Sequence, residues 1–205
     1  MGTVERRQRE HEETHEAIVD AAVEVFLAEG YEATSIRKIA KKIEYTPGAV
    51  YSYFKDKDEI LYEIHLRGFK KFFEYLSQAL SEPNPMERLH KTGELYLKFA
   101  DENPEYYDLM FIERSTARTI TDMSCWESGE RAHTALVQMV AECMDQGYIP
   151  KSDPGVAAFG FWSLVHGIAA LLVRKRCVVS HLDPQWPLPQ ATYDFMWNLI
   201  VGKSQ

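Results

Sequence analysis

The sequence predicts an all-α protein of about nine helices, with a small N-terminal head and a larger helical body. Three observations carry that expectation. Apolar residues recur at helical spacing, and no segment sustains the period-2 alternation of a strand. Cap residues followed by proline or an apolar run mark helix starts, and glycine marks several ends. Basic charge gathers in one short window near the N-terminus, while the rest of the chain is acidic.

Each element has its own signal. The first helix is expected from about Thr14 to Glu29, with Ile18, Ala22, Val25 and Phe26 on one stripe and Gly30 as its stop. The charged arm before it reads as mobile. The second starts at the Thr34-Ser35 cap and carries Ile36, Ile39, Ala40 and Ile43. The third has Thr46 as N-cap and Pro47 at its first position, where a missing N–H costs nothing, and ends near Phe54. The fourth opens at Asp56, with Glu59 completing a capping-box-like pair, and runs to about Leu80. After the break SEPNP a fifth spans Met86 to Glu102, and Asn103-Pro104 starts a sixth. A seventh is expected from Ser124 to Gln146 before Gly147, and an eighth, apolar nearly all round, follows the Asp153-Pro154 cap. The loop LDPQWPLP precedes a last helix from about Gln190 to Val201.

Composition removes several classes. Of 205 residues 45 % are hydrophobic, enough for a real core. No uninterrupted run of about 18 apolar residues occurs, so no membrane partner is expected. The start, MGTVERRQREHEETHE, lacks the apolar centre of a signal peptide, and Arg6 stands where a myristoylation signal has Ser or Thr. Cys125, Cys143 and Cys177 are odd in number and far apart, which fits reduced thiols in a cytoplasm. No paired catalytic groups, Gly-rich phosphate loop or metal-spaced ligand set is found. No enzyme, cofactor or metal is therefore expected. His11 and His15 stand four apart, but they lie among acids in the arm.

The net charge of −8 speaks against nucleic acid until its distribution is seen. From Thr34 to Lys57 there are six basic residues (Arg37, Lys38, Lys41, Lys42, Lys55, Lys57) and two acidic ones (Glu44, Asp56), so this window carries +4 and the remainder −12. Such a patch can bind phosphate while the acidic body fixes the docking orientation. The same lysines would also make an ordinary solvated face, and charge alone does not decide. The connection does more. Helices two and three are joined by Glu44-Tyr45 only, as in a helix-turn-helix whose second helix enters the major groove. Ile39, Ala40, Ile43, Val50 and Phe54 would hold the pair together. Thr46, Pro47, Gly48, Ala49, Tyr51, Ser52 and Tyr53 would face outward, with Ala49 placed for a thymine methyl and the tyrosine hydroxyls for phosphates. Lys57 would add charge and an N–H at the start of helix four.

Residues 17–64 contain AA-x-x-x-F ahead of EGYEATS, then IRKIAKK, then GAVYSYFKDK. This string resembles the N-terminal domain of the tetracycline-repressor (TetR) family. The resemblance implies a DNA-binding domain over residues 11–71, with the reading unit at 34–54. It implies phosphate contacts near Ser35, Arg37, Tyr51 and Lys57, and base contacts at Thr46, Pro47 and Ala49. Glu44 departs from it, because the family usually has Gly there. FWSLVHGIAAL and FADENPEYYDLMF resemble the Trp-His-Gly-type C-terminal domain of part of that family. That implies a helical domain over 72–205 that dimerises through its last two helices and binds an unknown small-molecule effector.

Phe99, Tyr106, Tyr107, Met110, Phe111, Trp126, Phe161 and His166 are the candidate effector residues, although aromatic and Met stripes are also what a plain core looks like. His166 fits a satisfied core or interface histidine as well as a ligand contact. The −8 charge favours a neutral or cationic effector, unless Arg114, Arg118 or Arg174 meets an acid. The resulting expectation is a cytoplasmic, homodimeric transcription regulator on a palindromic double-stranded operator, a repressor released by its effector. The alternative is a DNA-binding regulator gated by a protein partner, or one without a ligand.

Overall fold

The computed structural model describes residues 3–113, 127–177 and 187–202. Among them there is no strand, and nine α-helices follow one another. They are α1 Thr3–Glu29, α2 Ile36–Lys42, α3 Pro47–Tyr51, α4 Lys57–Leu76, α5 Pro85–Glu102, α6 Pro104–Tyr107, α7 Glu127–Asp145, α8 Pro154–Val173 and α9 Leu188–Val201. A 3-10 turn, Ser77–Ala79, extends α4, and a π-helical turn, Asp108–Ile112, follows α6. The chain divides into two compact units. One comprises the chain up to Gly68 with the stretch from Leu109; the other comprises Phe69–Asp108 and the chain from α7 onward.

Two helix ends differ from the sequence expectation. α1 begins at Thr3, not near Thr14. The apolar stripe does start near Ile18, but the preceding arm is made of good helix formers with pairs at i, i+4, Arg6–Glu10 and Gln8–Glu12. Charge pattern therefore extends the helix where hydrophobic pattern stops. Asn103 precedes α6 but does not cap it. Its φ is −135° and its ψ 54°, and its Nδ2 donates to the Tyr75 hydroxyl (3.2 Å) and the Phe99 carbonyl (3.3 Å) instead. Asn84, read only as part of the break SEPNP, caps α5, its Oδ1 accepting from Met86 N and Glu87 N. The cap read at Asp153 forms, its Oδ1 accepting from Val156 N. Asp56 Oδ1 accepts from Asp58 N and Glu59 N, while Glu59 reaches back to Lys55 N.

In the first unit Ile18, Val19, Ala22 and Phe26 of α1 are buried with Ile39 and Ala40 of α2, Val50 of α3, and Ile60, Leu61 and Ile64 of α4. At the edge of this core Arg67 takes Glu16 (2.9 Å) and Asp20 (3.4 Å) from α1 and Glu63 (3.5 Å) from its own helix. His65 is 2 % exposed, and burial brings its pKa down to about 4.

In the second unit Met86 and Leu89 of α5, Val140, Cys143 and Met144 of α7, Ile149, and Ala158 of α8 form one cluster, with Phe161 and Trp197 against it. Burial pushes the Cys143 thiol up, which keeps it protonated. α9 lies close to α5 at Gly93. A Cβ built there would stand 2.1 Å from Tyr193 Oη and 2.5 Å from its Cζ. Tyr193 is 2 % exposed and donates to the His90 carbonyl (2.9 Å).

α8 corrects the expectation that no span-length apolar segment exists. Counting unbroken apolar runs stops at Ser163 and His166, yet Pro154–Val173 contains no charged residue and is long and apolar enough to cross a membrane by length and composition. Little of it is buried within the chain: Val156, Phe159 and Leu171 are more than half exposed, and so are Phe195 and Leu199 of α9.

Gly93→Ala is expected to destabilise the protein by about 1–3 kcal/mol through overpacking, outweighing the ~0.5–1 kcal/mol that Ala gains over Gly in a helix. The urea midpoint should fall, and an unchanged midpoint would mean that α9 can give way there. His65 produces a pH dependence. The unfolded chain protonates this imidazole below about 6.5, the folded chain only near 4. Stability should therefore be full above pH 6.5 and decline towards pH 4, by up to about 3 kcal/mol. His65→Leu should flatten that part of the urea-midpoint profile. A variant with the wild-type slope would assign the loss to other groups.

Candidate nucleic-acid interface and a buried hydroxyl chain

α3 has only five residues, so local features and packing must hold it. Thr46 Oγ1 accepts from Ala49 N (3.2 Å), and Pro47 occupies the first position. Val50 and Phe54 point inward, 0 % and 3 % exposed. Tyr51 is 57 % exposed on the opposite side, Thr46 and Gly48 are exposed, and Pro47 and Ala49 are partly so. Tyr53 does not share that open position. Its ring lies 4.5 Å from that of His11, and His15 lies 4.8 Å from Phe54. The expectation that both tyrosines face outward with nothing to pack on therefore holds for Tyr51 only. The physical reason is the longer α1, whose extra turns bring His11 to Tyr53.

Lys57 is likewise engaged. Its Nζ donates to the carbonyls of Tyr31 (2.9 Å) and Thr34 (3.4 Å) and stands 4.1 Å from the Tyr31 ring centre. It thus ties the start of α4 to the turn before α2, where Ser35 is the N-cap, accepting from Lys38 N. Of the other basic residues, Lys38 pairs with Glu29 and Lys42 with Glu24, both on the surface, where such pairs are weak and can exchange for phosphate. Arg37, Lys41 and Lys55 are exposed, and among the described residues none of the three makes an ion pair. The patch is thus smaller than the sequence count, with Arg37 beside the cap of α2.

Glu44 has φ +59°, as the departure from Gly implies. Glu44 N bonds Lys41 O (3.3 Å) and Tyr45 N bonds Ala40 O (2.9 Å), the paired bonds of a Schellman ending. The same pair of bonds ends α7 at Gly147 and α8 at Lys175, which has φ +53°.

The second unit contains a chain of buried polar groups. Trp162 Nε1 donates to the Tyr96 hydroxyl (3.3 Å), which meets the Tyr107 hydroxyl (3.2 Å), which meets His166 Nδ1 (2.8 Å). An indole can only donate, so the Tyr96 hydroxyl accepts from Trp162, while the direction of the next two bonds follows the His166 tautomer. Tyr96 and Tyr107 are 5 % and 0 % exposed. Burial pushes the Tyr96 pKa up to about 12, pushes Tyr107 higher still, and lowers that of His166. All three are thereby held neutral. Trp162 and His166 are four apart on α8, the positions of the Trp-His-Gly resemblance. Tyr96 and Trp162 were missed as site candidates. The signal for Trp162 was its i, i+4 spacing to His166; nothing local marked Tyr96.

The remaining candidates have other neighbours. Phe99 is fully buried between Phe72 (5.2 Å) and Tyr75 (5.6 Å). Tyr106 has Lys71 over its ring at 5.1 Å, and Phe161 packs near Trp197 at 5.9 Å. Met110 is buried and Phe111 half-buried in the π-helical turn. Trp126, Arg114, Arg118 and Cys125 lie outside the described residues. Arg174 meets Asp108 at 2.8 Å.

Comparison with known proteins agrees with this geometry. Residues 18–64 match the family described as bacterial regulatory proteins, tetR family, and residues 89–188 match the tetracyclin repressor-like C-terminal domain. The HTH-type transcriptional regulator YobS of Bacillus subtilis (strain 168) is 26 % identical over 163 residues, 79 % of this chain and 80 % of that protein. Among solved structures, the fatty acid degradation regulator FadR from Bacillus halodurans superposes with a TM-score of 0.73 at 21 % identity, covering 93 % of this chain and 96 % of that one. AibR in complex with isovaleryl coenzyme A and operator DNA gives 0.70 at 21 % identity, covering 91 % and 97 %.

Glu44→Gly is expected to raise stability by about 0.5–1 kcal/mol. Relief of left-handed strain contributes ~1–2 kcal/mol, less the larger freedom of an unfolded glycine. A thermal melt reads it, and a lower midpoint would show that the Glu44 side chain contributes more than its backbone costs.

Proposed function

The chain belongs to the TetR family of bacterial DNA-binding transcription regulators, and from that premise we propose that it is a repressor, a homodimer released from a palindromic operator by a small-molecule effector. Residues 11–71 are its DNA-binding domain, with 34–54 the reading unit, and 72–205 its effector and dimerisation domain. The observation that carries the DNA reading is the face of α3 from Thr46 to Tyr51, capped and packed from behind and open in front. Thr46, Pro47, Gly48 and Ala49 meet base edges. Ser35, Arg37 and Tyr51 meet phosphates. Tyr53 braces α3 against α1, and Lys57 positions the turn that carries Ser35 and Arg37. In a dimer the two α3 helices enter successive major grooves, about 34 Å apart. DNA as the partner also implies a cytoplasmic protein.

The dimer reading is supported by the uncovered apolar residues of α8 and α9. Gly160 and Gly167 have open space where a Cβ would stand, and with Val156, Phe159 and Ser163 they leave room for a partner helix to approach closely. The effector reading rests on Tyr96, Tyr107, Trp162 and His166. Neutral hydroxyl and ring N–H groups among aromatics suit a ligand with an apolar body and a carbonyl or hydroxyl oxygen. AibR is seen with isovaleryl coenzyme A, so acyl thioesters come first in a screen. α4 transmits the event, because its residues divide between the two units. Release requires the effector to bind the DNA-incompetent state better, and a coupling of about 1–3 kcal/mol is typical.

Selection of genomic fragments by the purified protein should enrich a palindromic site, and the acyl thioester that binds should weaken it. No enrichment from a folded dimer, with or without added cell extract, would sink the DNA reading. Tyr51→Phe should weaken all sequences alike, by roughly fivefold per half-site for a hydrogen bond of ~1 kcal/mol, so roughly thirtyfold for the dimer. Ala49→Ser should shift base preference. A uniform loss from Ala49→Ser would place the reading face elsewhere.

A further inference from the structure

A second cluster lies on the other side of α5, outside both sites above. His90 and Glu94 stand four apart on α5, and Asp194 comes to them from α9, a hundred residues later in the chain. One ligand atom from each lies within 4.8 Å of the others, and His90 Nε2 is 3.7 Å from Asp194 Oδ1. All three are half-buried, so they are fixed in place and still open to entry of a small ion. The His90 ring is held flat against Tyr193 (5.1 Å, 18°) and beside Trp197 (4.7 Å), which limits its rotation. Among the described residues neither carboxylate meets a lysine or arginine. The Nε2 of Gln190 sits between them, donating to Glu94 Oε1 (3.2 Å) and Asp194 Oδ1 (2.9 Å). Two carboxylates and an imidazole thus converge on a place filled by one weakly positive amide.

We propose that His90, Glu94 and Asp194 bind a divalent first-row transition cation of the Zn2+ type, which ties α9 to α5. One imidazole nitrogen with two carboxylate oxygens is a borderline donor set. It lacks the thiolate that selects Cu(I), and its nitrogen sets it apart from the all-oxygen cages of Ca2+ and Mg2+. Three protein ligands leave water in the remaining positions. Metal–ligand bonds of ~2.0–2.2 Å put tetrahedral donors roughly 3.4 Å apart, so the side chains need close by only about 1 Å, with Gln190 moving aside. The i, i+4 pair lies on a single face of α5, and Gly93 lets α9 come near enough to supply the third ligand. The site is independent of the effector reading. Its occupancy would stiffen the link between α5 and the helix proposed to dimerise.

The test uses the full chain, stripped with EDTA and titrated with Zn2+, and with Co2+ for its visible absorption. Glu94→Gln and Asp194→Asn keep size and hydrogen-bonding capacity, so they change charge without emptying the site. The expected result is one saturable ion per chain, a melting temperature raised by Zn2+ and restored by EDTA, and at least tenfold weaker binding in both variants. Absence of saturable binding would overturn the proposal. So would binding that both variants retain at wild-type affinity, which places the ion elsewhere on the chain.

Discussion

A five-residue helix has no stability of its own, because nucleating a helical turn costs more than its few hydrogen bonds return. The presentation of α3 depends on that constraint. Thr46 satisfies one orphan N–H, Pro47 removes another and pre-sets the backbone, and Val50 and Phe54 are buried in the core of the head. The neighbours are arranged to the same end. α2 ends in a tight reversal whose positive φ falls on Glu44, α1 runs long enough to set His11 against Tyr53, and Lys57 pins the turn before α2. With its back so fully held, α3 can leave its front open. An exposed face carrying an exposed tyrosine is affordable only on a helix stabilised from behind.

The second unit solves a different problem. Tyrosine hydroxyls taken out of water must be hydrogen-bonded or cost the fold about 1–3 kcal/mol each. Tyr96 and Tyr107 satisfy each other, with an indole N–H at one end and an imidazole nitrogen at the other. The groups are neutral, so the cluster avoids the larger cost of a buried charge. A ligand oxygen entering such a chain would exchange hydrogen bonds instead of creating them, which suits reversible binding.

α8 links this chemistry to assembly. One side carries Trp162 and His166, and another offers Val156 and Leu171 with two glycines between. A helix without a charged residue is stable in water only if its apolar sides are covered, and within one chain much of this surface is not. The same helix therefore serves the polar cluster and the proposed partner contact, and a change at one has a short path to the other.

Local signals were enough for the helices, most of their caps and the short helix α3, whereas the Glu44 anomaly was legible only against the family resemblance. Periodicity and cap residues are properties of neighbours in sequence. They were insufficient wherever a side chain's partner comes from elsewhere. Tyr53 and Lys57 read as outward groups because nothing local shows that α1 or the Tyr31 turn will meet them. His166 was marked by its motif, but its hydroxyl partner Tyr107 and the next link, Tyr96, come from other helices. His90 and Glu94 form an unremarkable helical pair until α9 brings Asp194 against them. Sequence by itself determined the helical class, the helix-turn-helix and the outward side of α3 at Tyr51, because these follow from spacing along one chain. Which of the expected outward residues stay free, which polar groups join, and which acids share a site were decided by tertiary structure alone, because hydrogen bonds and ion contacts act over a few ångströms in space and are indifferent to distance along the sequence.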